Sequence, residues 1–309
     1  MIKIEPREGE PVRGWPPIKD GTGYFFTYTN VGKRSLVLDL ERPPDVETLK
    51  NLVGRSDVLI ENLKPGALAK RGCSSEQLAR INPRLIYCAV SGFGADTIYP
   101  GRPAFDTVIQ AMSGFMDLTR AGDVPVKAGI SIADVMGAEI AVVSILAALE
   151  ARDRTGLGQF IDLSMQDVCA WLSAILWNGE QAAPMPITVP ARDGFVLVEA
   201  DGMADKDMLP AGLTRERARG MTRAALAAAL SEAGCRTAPI LSAAEMLQAQ
   251  QTCARRLVIH ARDATGQVWP LLASPLRLQG TPPMIHRPMG TLGSDGPEIL
   301  AELAARTAQ

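Results

Sequence analysis

The chain has 309 residues, 47% hydrophobic and 21% charged, so it is too apolar for disorder. It is also long enough for two domains, since single cores stop growing at roughly 250–300 residues. A net charge of -2 gives no electrostatic reason for a nucleic-acid or anionic-membrane partner, and any anion site has to be local.

Met1 to Glu5 (MIKIE) reads as a strand that starts abruptly, with nothing before it to pair against. Ser35 to Leu40 (SLVLDL) and Val58 to Glu61 (VLIE) are further strands, and the helically spaced apolar positions from Val46 to Val53 between them complete a β-α-β unit. Leu85 to Val90 (LIYCAV) is another strand, running into the loop Ser91-Gly-Phe-Gly94. A short strand, Gly129 to Ala133, gives way at Asp134 to a long helix, Val135 to Arg152, stopped by Gly156 and Gly158. Phe160 to Met165 alternates as a strand, and Asp167 leads into an apolar helix, Val168 to Trp177. This alternation predicts an α/β protein with a mostly parallel, doubly wound sheet.

Gln181 to Pro190 (QAAPMPITVP) has the small, proline-rich composition of a linker. Beyond it, Gly194 to Ala200 is a strand, Arg223 to Ala233 a helix, and Ala238 to Leu241 a short strand before a helix from Ala243 to Arg256. The expected organisation is a large domain over residues 1–180, a small α/β domain over 187–256, and a turn-rich tail over 257–309 that returns to the large one. Cys73, Cys88, Cys169, Cys235 and Cys253 are scattered and nowhere spaced as C-x-x-C, which argues against disulfides and against zinc and for a reducing cytoplasm. The apolar run Ile140 to Leu149 falls short of the roughly 20 residues of a membrane span, and no signal-peptide core follows Met1.

Several segments, taken in order, resemble the class III CoA-transferases (CaiB/BaiF type). They are the MIKIE start, Asn30-Val-Gly-Lys-Arg-Ser35, Ile60-Glu-Asn-Leu-Lys-Pro-Gly-Ala67, Asn82-Pro-Arg-Leu-Ile-Tyr87 and Ser91-Gly-Phe-Gly94. Phe105-Asp-Thr-Val-Ile-Gln-Ala-Met-Ser-Gly114, Asp134, Arg154-Thr-Gly-Leu-Gly-Gln159 and Ser274-Pro-Leu-Arg277 continue the series. The resemblance implies a Rossmann-like large domain built from both chain ends, a small inserted domain, and two interlocked subunits of a cytoplasmic homodimer. It implies coenzyme A as cosubstrate, acyl-CoA and carboxylic acids as substrates, and no metal.

Read locally, Asp134 is a helix N-cap; by the resemblance it is the nucleophile. A carboxylate can attack a thioester to form a mixed anhydride, release CoA thiolate, and be attacked in turn to become an aspartyl-CoA thioester. Asp167, also at a strand-to-helix step, is the rival carboxylate and reads as an N-cap. Carried over from the formyl-CoA transferase branch, Arg7, Leu38, Asn62, Ala67 and Lys70 are expected to hold CoA and Trp15 to line the acyl site; Arg71 and Arg102 are further cationic candidates. Lysine and arginine suit phosphates, while Leu38 also reads as a core position and Trp15 as packing.

The chain departs from the pattern in lacking the strand, loop and helix that precede MIKIE in relatives, and the glycine-rich loop between Trp177 and Pro190. Acyl-CoA racemases add a histidine base where this chain has Phe105, and the histidines here, His260 and His286, lie in the C-terminal third. Racemisation is therefore the second enzymatic reading. A non-catalytic subunit or scaffold completed by a related full-length partner is the reading from another class.

Overall fold

The branched residues of Ile2-Lys-Ile-Glu5 form strand β1 (Ile2–Glu5) of a computed structural model that describes residues 1–19, 22–174, 187–199, 208–262, 266, 268–284 and 290–305. After helix α1 (Tyr24–Asn30), strand β2 (Arg34–Val37) lies parallel to β1, with Ile2 opposite Arg34 and Glu5 opposite Val37. The opening strand therefore does find a partner, supplied by the chain that follows it. Strand β2 stops at Val37, short of the expected Leu40.

Helix α2 (Pro43–Val53) begins at a proline, whose missing N–H costs nothing in a first turn, and buries Val46, Leu49 and Val53 along one stripe. Strand β3 (Val58–Glu61) follows, then helix α3 (Ser75–Ile81), started by a capping box between Ser74 and Gln77. Strand β4 (Ile86–Ser91), helix α4 (Asp106–Met112), helix α5 (Ile132–Thr155), strand β5 (Gln159–Ser164) and helix α6 (Met165–Ser173) complete this part. Strand β4 lies between β3 and β5, all parallel, with Ile86 opposite both Val58 and Gln159.

The period of two along β4 divides the core. Leu85 and Tyr87 join Leu36, Leu49, Val53, Leu78 and Ile299 on one face. Ile86 and Cys88 join Ala141, Ile145, Ala148, Leu163 and Val168 on the other. Helices thus cover both faces, as the doubly wound expectation requires. No strand forms at Gly129 to Ala133: the Lys127 and Gln110 side chains converge on the Ile130 carbonyl, and the chain enters α5 at Ile132.

Helix α5 is longer than the apolar run Ile140 to Leu149 indicated, and by length and composition alone it could cross a membrane. Its small residues, Ala133, Gly137, Ala141 and Ala148, are instead buried, the last two in the core against β4 and β5. Its outward face leaves Val135, Val142, Val143 and Leu146 exposed.

The chain falls into two compact units. The first takes in Met1–Trp177, Arg262–Gln267 and Ile285–Gln309; the second takes in Asn178–Ala261 and Val268–Met284. In the second, strands β6 (Ile187–Ala191), β7 (Gly194–Glu199) and β8 (Arg236–Pro239) form an antiparallel sheet in that order. Helix α7 (Arg223–Glu232) seals it, burying Leu226 and Leu230 with Val189, Val196 and Val198. The proline-rich linker lies mostly outside the described residues; its last four, 187–190, belong to β6. The helix expected from Ala243 to Arg256 is two short ones, Ala243–Gln248 and Gln250–Ala254, broken at Ala249. Helix α8 (Gly296–Ala305) returns to β2 in the first unit, where Asp295 accepts from the Ser35 N–H at 2.8 Å.

Candidate active site

Parallel strands fix where a site can form, because their carboxyl ends all face one edge. Arg152, near the end of α5, is buried at the other edge. It donates to the Arg84 carbonyl at 3.2 Å and pairs with Asp57 at 3.0 Å, both just before the amino ends of β4 and β3. Asp134 lies about 27 Å from Arg152 along the helix axis, whereas a six-residue strand such as β4 spans about 20 Å. The helix therefore carries Asp134 to the carboxyl edge of the sheet.

Asp134 is the third residue of α5 and does not cap it. Ser131 occupies the cap position and makes no side-chain bond there. The capping is done from another helix: Asp106 of α4 accepts from the Ala133 N–H at 2.9 Å. Asp106 is buried and also accepts from Gln110 Nε2 at 2.7 Å, while Lys127 Nζ stands 3.3 Å from the same oxygen, Oδ2. The Asp134 carboxylate makes no hydrogen bond among the described residues and opens to solvent. The surrounding protein still desolvates it enough to push its pKa above the ordinary 3.8; Asp106 adds to that rise and Lys127 opposes it.

The loop after β4 closes the floor of this region. A Cβ on Gly92 would come within 2.0 Å of the Ala104 Cβ, so only glycine lets the Ser91-Gly-Phe-Gly94 turn lie against the segment leading into α4. Phe93, Ala104, Ile109, Ala133, Met165 and Cys169 pack together beneath. Phe105 is exposed at the cap position of α4. Asp167 sits in the first turn of α6, but Ser164 is the N-cap, accepting from the Asp167 N–H at 3.2 Å. The expected N-cap role of Asp167 is therefore corrected to its neighbour.

The residues expected at CoA gather at the ends of β1, β2 and β3. Arg7 follows β1 and pairs with Asp39, just past β2, at 3.3 Å. Arg71 donates to the Leu40 carbonyl at 3.1 Å, drawing the turn that holds Ala67 and Lys70 to the same place. Asn62 and Lys70 are exposed and Ala67 half-buried. Leu38 differs: its side chain is in the core with Leu36 and Leu49, which leaves only its backbone to meet a ligand. An open cleft of about 260 Å³ adjoins the loop from Leu63 to Ala69, with Glu61, Tyr87, Phe160 and Asp162 in its wall. Burial raises the Glu61 pKa, against the bonds it accepts from the Leu63 N–H and the Tyr87 hydroxyl.

Trp15 is half-exposed and stacks on Phe25 with ring centroids 6.2 Å apart. The turn before it is fixed by Arg13, whose guanidinium donates twice to buried Glu5, both at 2.7 Å, and covers the Phe26 ring. Arg102 lies over Tyr99. His260 lies in the second unit, and His286 lies outside the described residues. Among the described residues no group of three or more His, Cys, Asp or Glu is placed to hold a metal ion. Sequence reasoning passed over Asp106, Gln110 and Lys127 individually, although Asp106 and Gln110, four apart on a short helix, necessarily share a face.

The start of α5 thus brings a carboxylate with no hydrogen bond among the described residues to the carboxyl edge of the sheet. The chain belongs to CoA-transferase family III, whose model matches residues 1–194 and 197–296. It is 33% identical to a succinate–glutarate CoA-transferase of Agrobacterium fabrum over 98% of this chain and 88% of that protein. It is 32% identical to an acetyl-CoA:oxalate CoA-transferase of Acetobacter aceti, over the whole of this chain and 90% of that one. A CaiB/BaiF family protein from Brucella suis superposes with a TM-score of 0.84 at 30% identity, covering 98% of this chain and 91% of that one. The protein is accordingly an enzyme of the CoA-transferase class.

Proposed function

We propose that the enzyme moves CoA between small carboxylic acids, at least one of them a dicarboxylic acid, through Asp134. The observation that carries this reading is the free carboxylate: with Asp106 capping the helix, Asp134 is left available to react. Its Oδ attacks the thioester carbonyl, the acyl C–S bond breaks, and the electron pair leaves with sulfur as CoA thiolate. The thiolate then attacks the Asp134 carbonyl of the anhydride, expelling the donor acid as its carboxylate. The acceptor carboxylate reverses both steps. No proton and no ATP are consumed.

The choice of a dicarboxylic acid rests on the relatives, each named for at least one of succinate, glutarate, oxalate and mesaconate, with acetyl-CoA as the other partner in one of them. CoA phosphates fit the Arg7 and Lys70 side of the site, because the adjoining cleft presents Glu61, Glu76 and Asp162, which repel anions. The apolar outward face of α5 supports a homodimer, and the free thiols fit a cytoplasmic enzyme. Racemisation is disfavoured, since Phe105 cannot abstract a proton.

The test is trapping. With an acyl-CoA present, hydroxylamine should convert an aspartyl thioester to a hydroxamate that peptide mass spectrometry places on Asp134. Asp134→Asn should remain folded and lose CoA exchange. A hydroxamate on Asp167, or full activity in the asparagine variant, would overturn the assignment.

A further inference from the structure

Three side chains beside Asp134 form a closed unit that the transfer chemistry alone does not call for. Gln110 is fully buried; its Nε2 donates to Asp106 at 2.7 Å and to the Ile130 carbonyl at 3.4 Å, and its Oε1 accepts from the Ala128 N–H at 3.0 Å. Lys127 Nζ donates to the Ala128 carbonyl at 2.9 Å and the Ile130 carbonyl at 3.0 Å, and stands 3.3 Å from Asp106 Oδ2. Two of the ammonium's N–H groups thus have carbonyl acceptors and its charge is paired with Asp106, so the group is held in place. Asp106 in turn accepts from Ala133 and Gln110 and faces the Lys127 ammonium, company that suits a carboxylate.

We infer that Lys127 and Asp106 are positioning residues for Asp134, a pair of opposed charges, the aspartate held by Gln110, that fixes its helical turn and sets the charge its carboxylate carries. The inference rests on the reading of Asp134 as nucleophile. Attack neutralises Asp134, so the repulsion from Asp106 is relieved as the anhydride forms, which favours reaction. Lys127 works the other way and keeps Asp134 ionised, without which it could not attack. The two charges act on Asp134 with opposite sign, up from Asp106 and down from Lys127, on top of the rise from burial. From α6 the facing titratable group is Cys169, a thiol held neutral by burial and by the two aspartates, and so adding no charge of its own.

The experiment reads Asp134 directly. The protein is labelled with carbon-13 at aspartate carboxyl carbons, the Asp134 signal is assigned by its loss in Asp134→Asn, and its titration midpoint is followed without substrate. The midpoint should rise in Lys127→Met, stay near the wild-type value in Lys127→Arg, and fall in Asp106→Asn, whose amide oxygen can still cap Ala133. The acid limb of the pH–rate profile should move in the same sense in each variant. Midpoints that do not move, or that move the same way in Lys127→Met and Asp106→Asn as a general loosening would cause, overturn the inference. Hydroxamate trapping in the wild type keeps the two questions apart. A label on Asp134 with unmoved midpoints removes only the positioning roles; a label elsewhere removes the nucleophile reading and these roles with it.

Discussion

Arg13→Met tests whether the loop that presents Trp15 depends on the ion pair beneath it. The Glu5 side chain is 1% exposed and Arg13 19%, and two bonds of 2.7 Å join them. Removing one member of such a buried pair costs about 3–5 kcal/mol, because the remaining charge is stranded. Ser35 Oγ, donating at 2.8 Å, and the Glu10 N–H remain on Glu5, and Arg13 keeps some contact with water, so the lower end applies, about 3 kcal/mol. For a unit of this size that corresponds to a fall of about 6–12 °C in Tm. Glu5→Leu combined with Arg13→Met removes both charges and should recover most of the loss. Burial alone would raise the Glu5 pKa; the bonds from Arg13, Ser35 and Glu10 outweigh it and hold the carboxyl below its ordinary 4.5. Its contribution is thus complete above that pH and disappears as the pH falls through the depressed folded value, so the wild type should lose more stability in acid than the double variant. Thermal and urea unfolding from pH 7 into the acid range give the comparison. A loss below about 1 kcal/mol in Arg13→Met, or a double variant no better than the worse single one, would refute the reasoning.

Alanine at Arg7 or at Lys70 should weaken CoA binding by roughly ten- to a hundredfold each, the worth of a charge-assisted bond of about 1.5–3 kcal/mol, and unchanged calorimetric affinity in both would move the phosphate site. Leu146→Glu puts a charge on the exposed apolar face of α5 and should convert a dimer to monomers in light scattering; a wild type already monomeric at micromolar concentration would sink the homodimer reading.

Strands β1 to β5 were legible in the sequence because each carries branched or apolar residues between turn signals, and Val58–Glu61 forms with the bounds its four residues indicated, whereas most of β6 read as linker. What the local pattern missed came from contacts distant in sequence. Gly129 to Ala133 alternates like a strand, yet the Ile130 carbonyl is taken by Gln110 and Lys127 and the chain turns into α5 at Ile132, so no ladder forms. Leu38 could equally have been a ligand contact or core, and only the packing of Leu36, Leu49 and Ile299 around it decides for core.

The same limit explains the ambiguity at Asp134, which local sequence reads as an N-cap. An aspartate just ahead of a long apolar helix is a statistically good cap, and nothing within several residues contradicts that assignment. The helix, however, starts two residues earlier, at Ile132, and its orphan N–H is satisfied by a residue 27 positions upstream in another helix. Supplying the cap from a distance separates two jobs that one carboxylate cannot do together: stabilising a helix terminus, which needs its oxygens engaged, and attacking a thioester, which needs them free. That division of labour between Asp106 and Asp134 is visible only once α4 and α5 are packed, and it is the physical argument for the nucleophilic role proposed for the third residue of this helix.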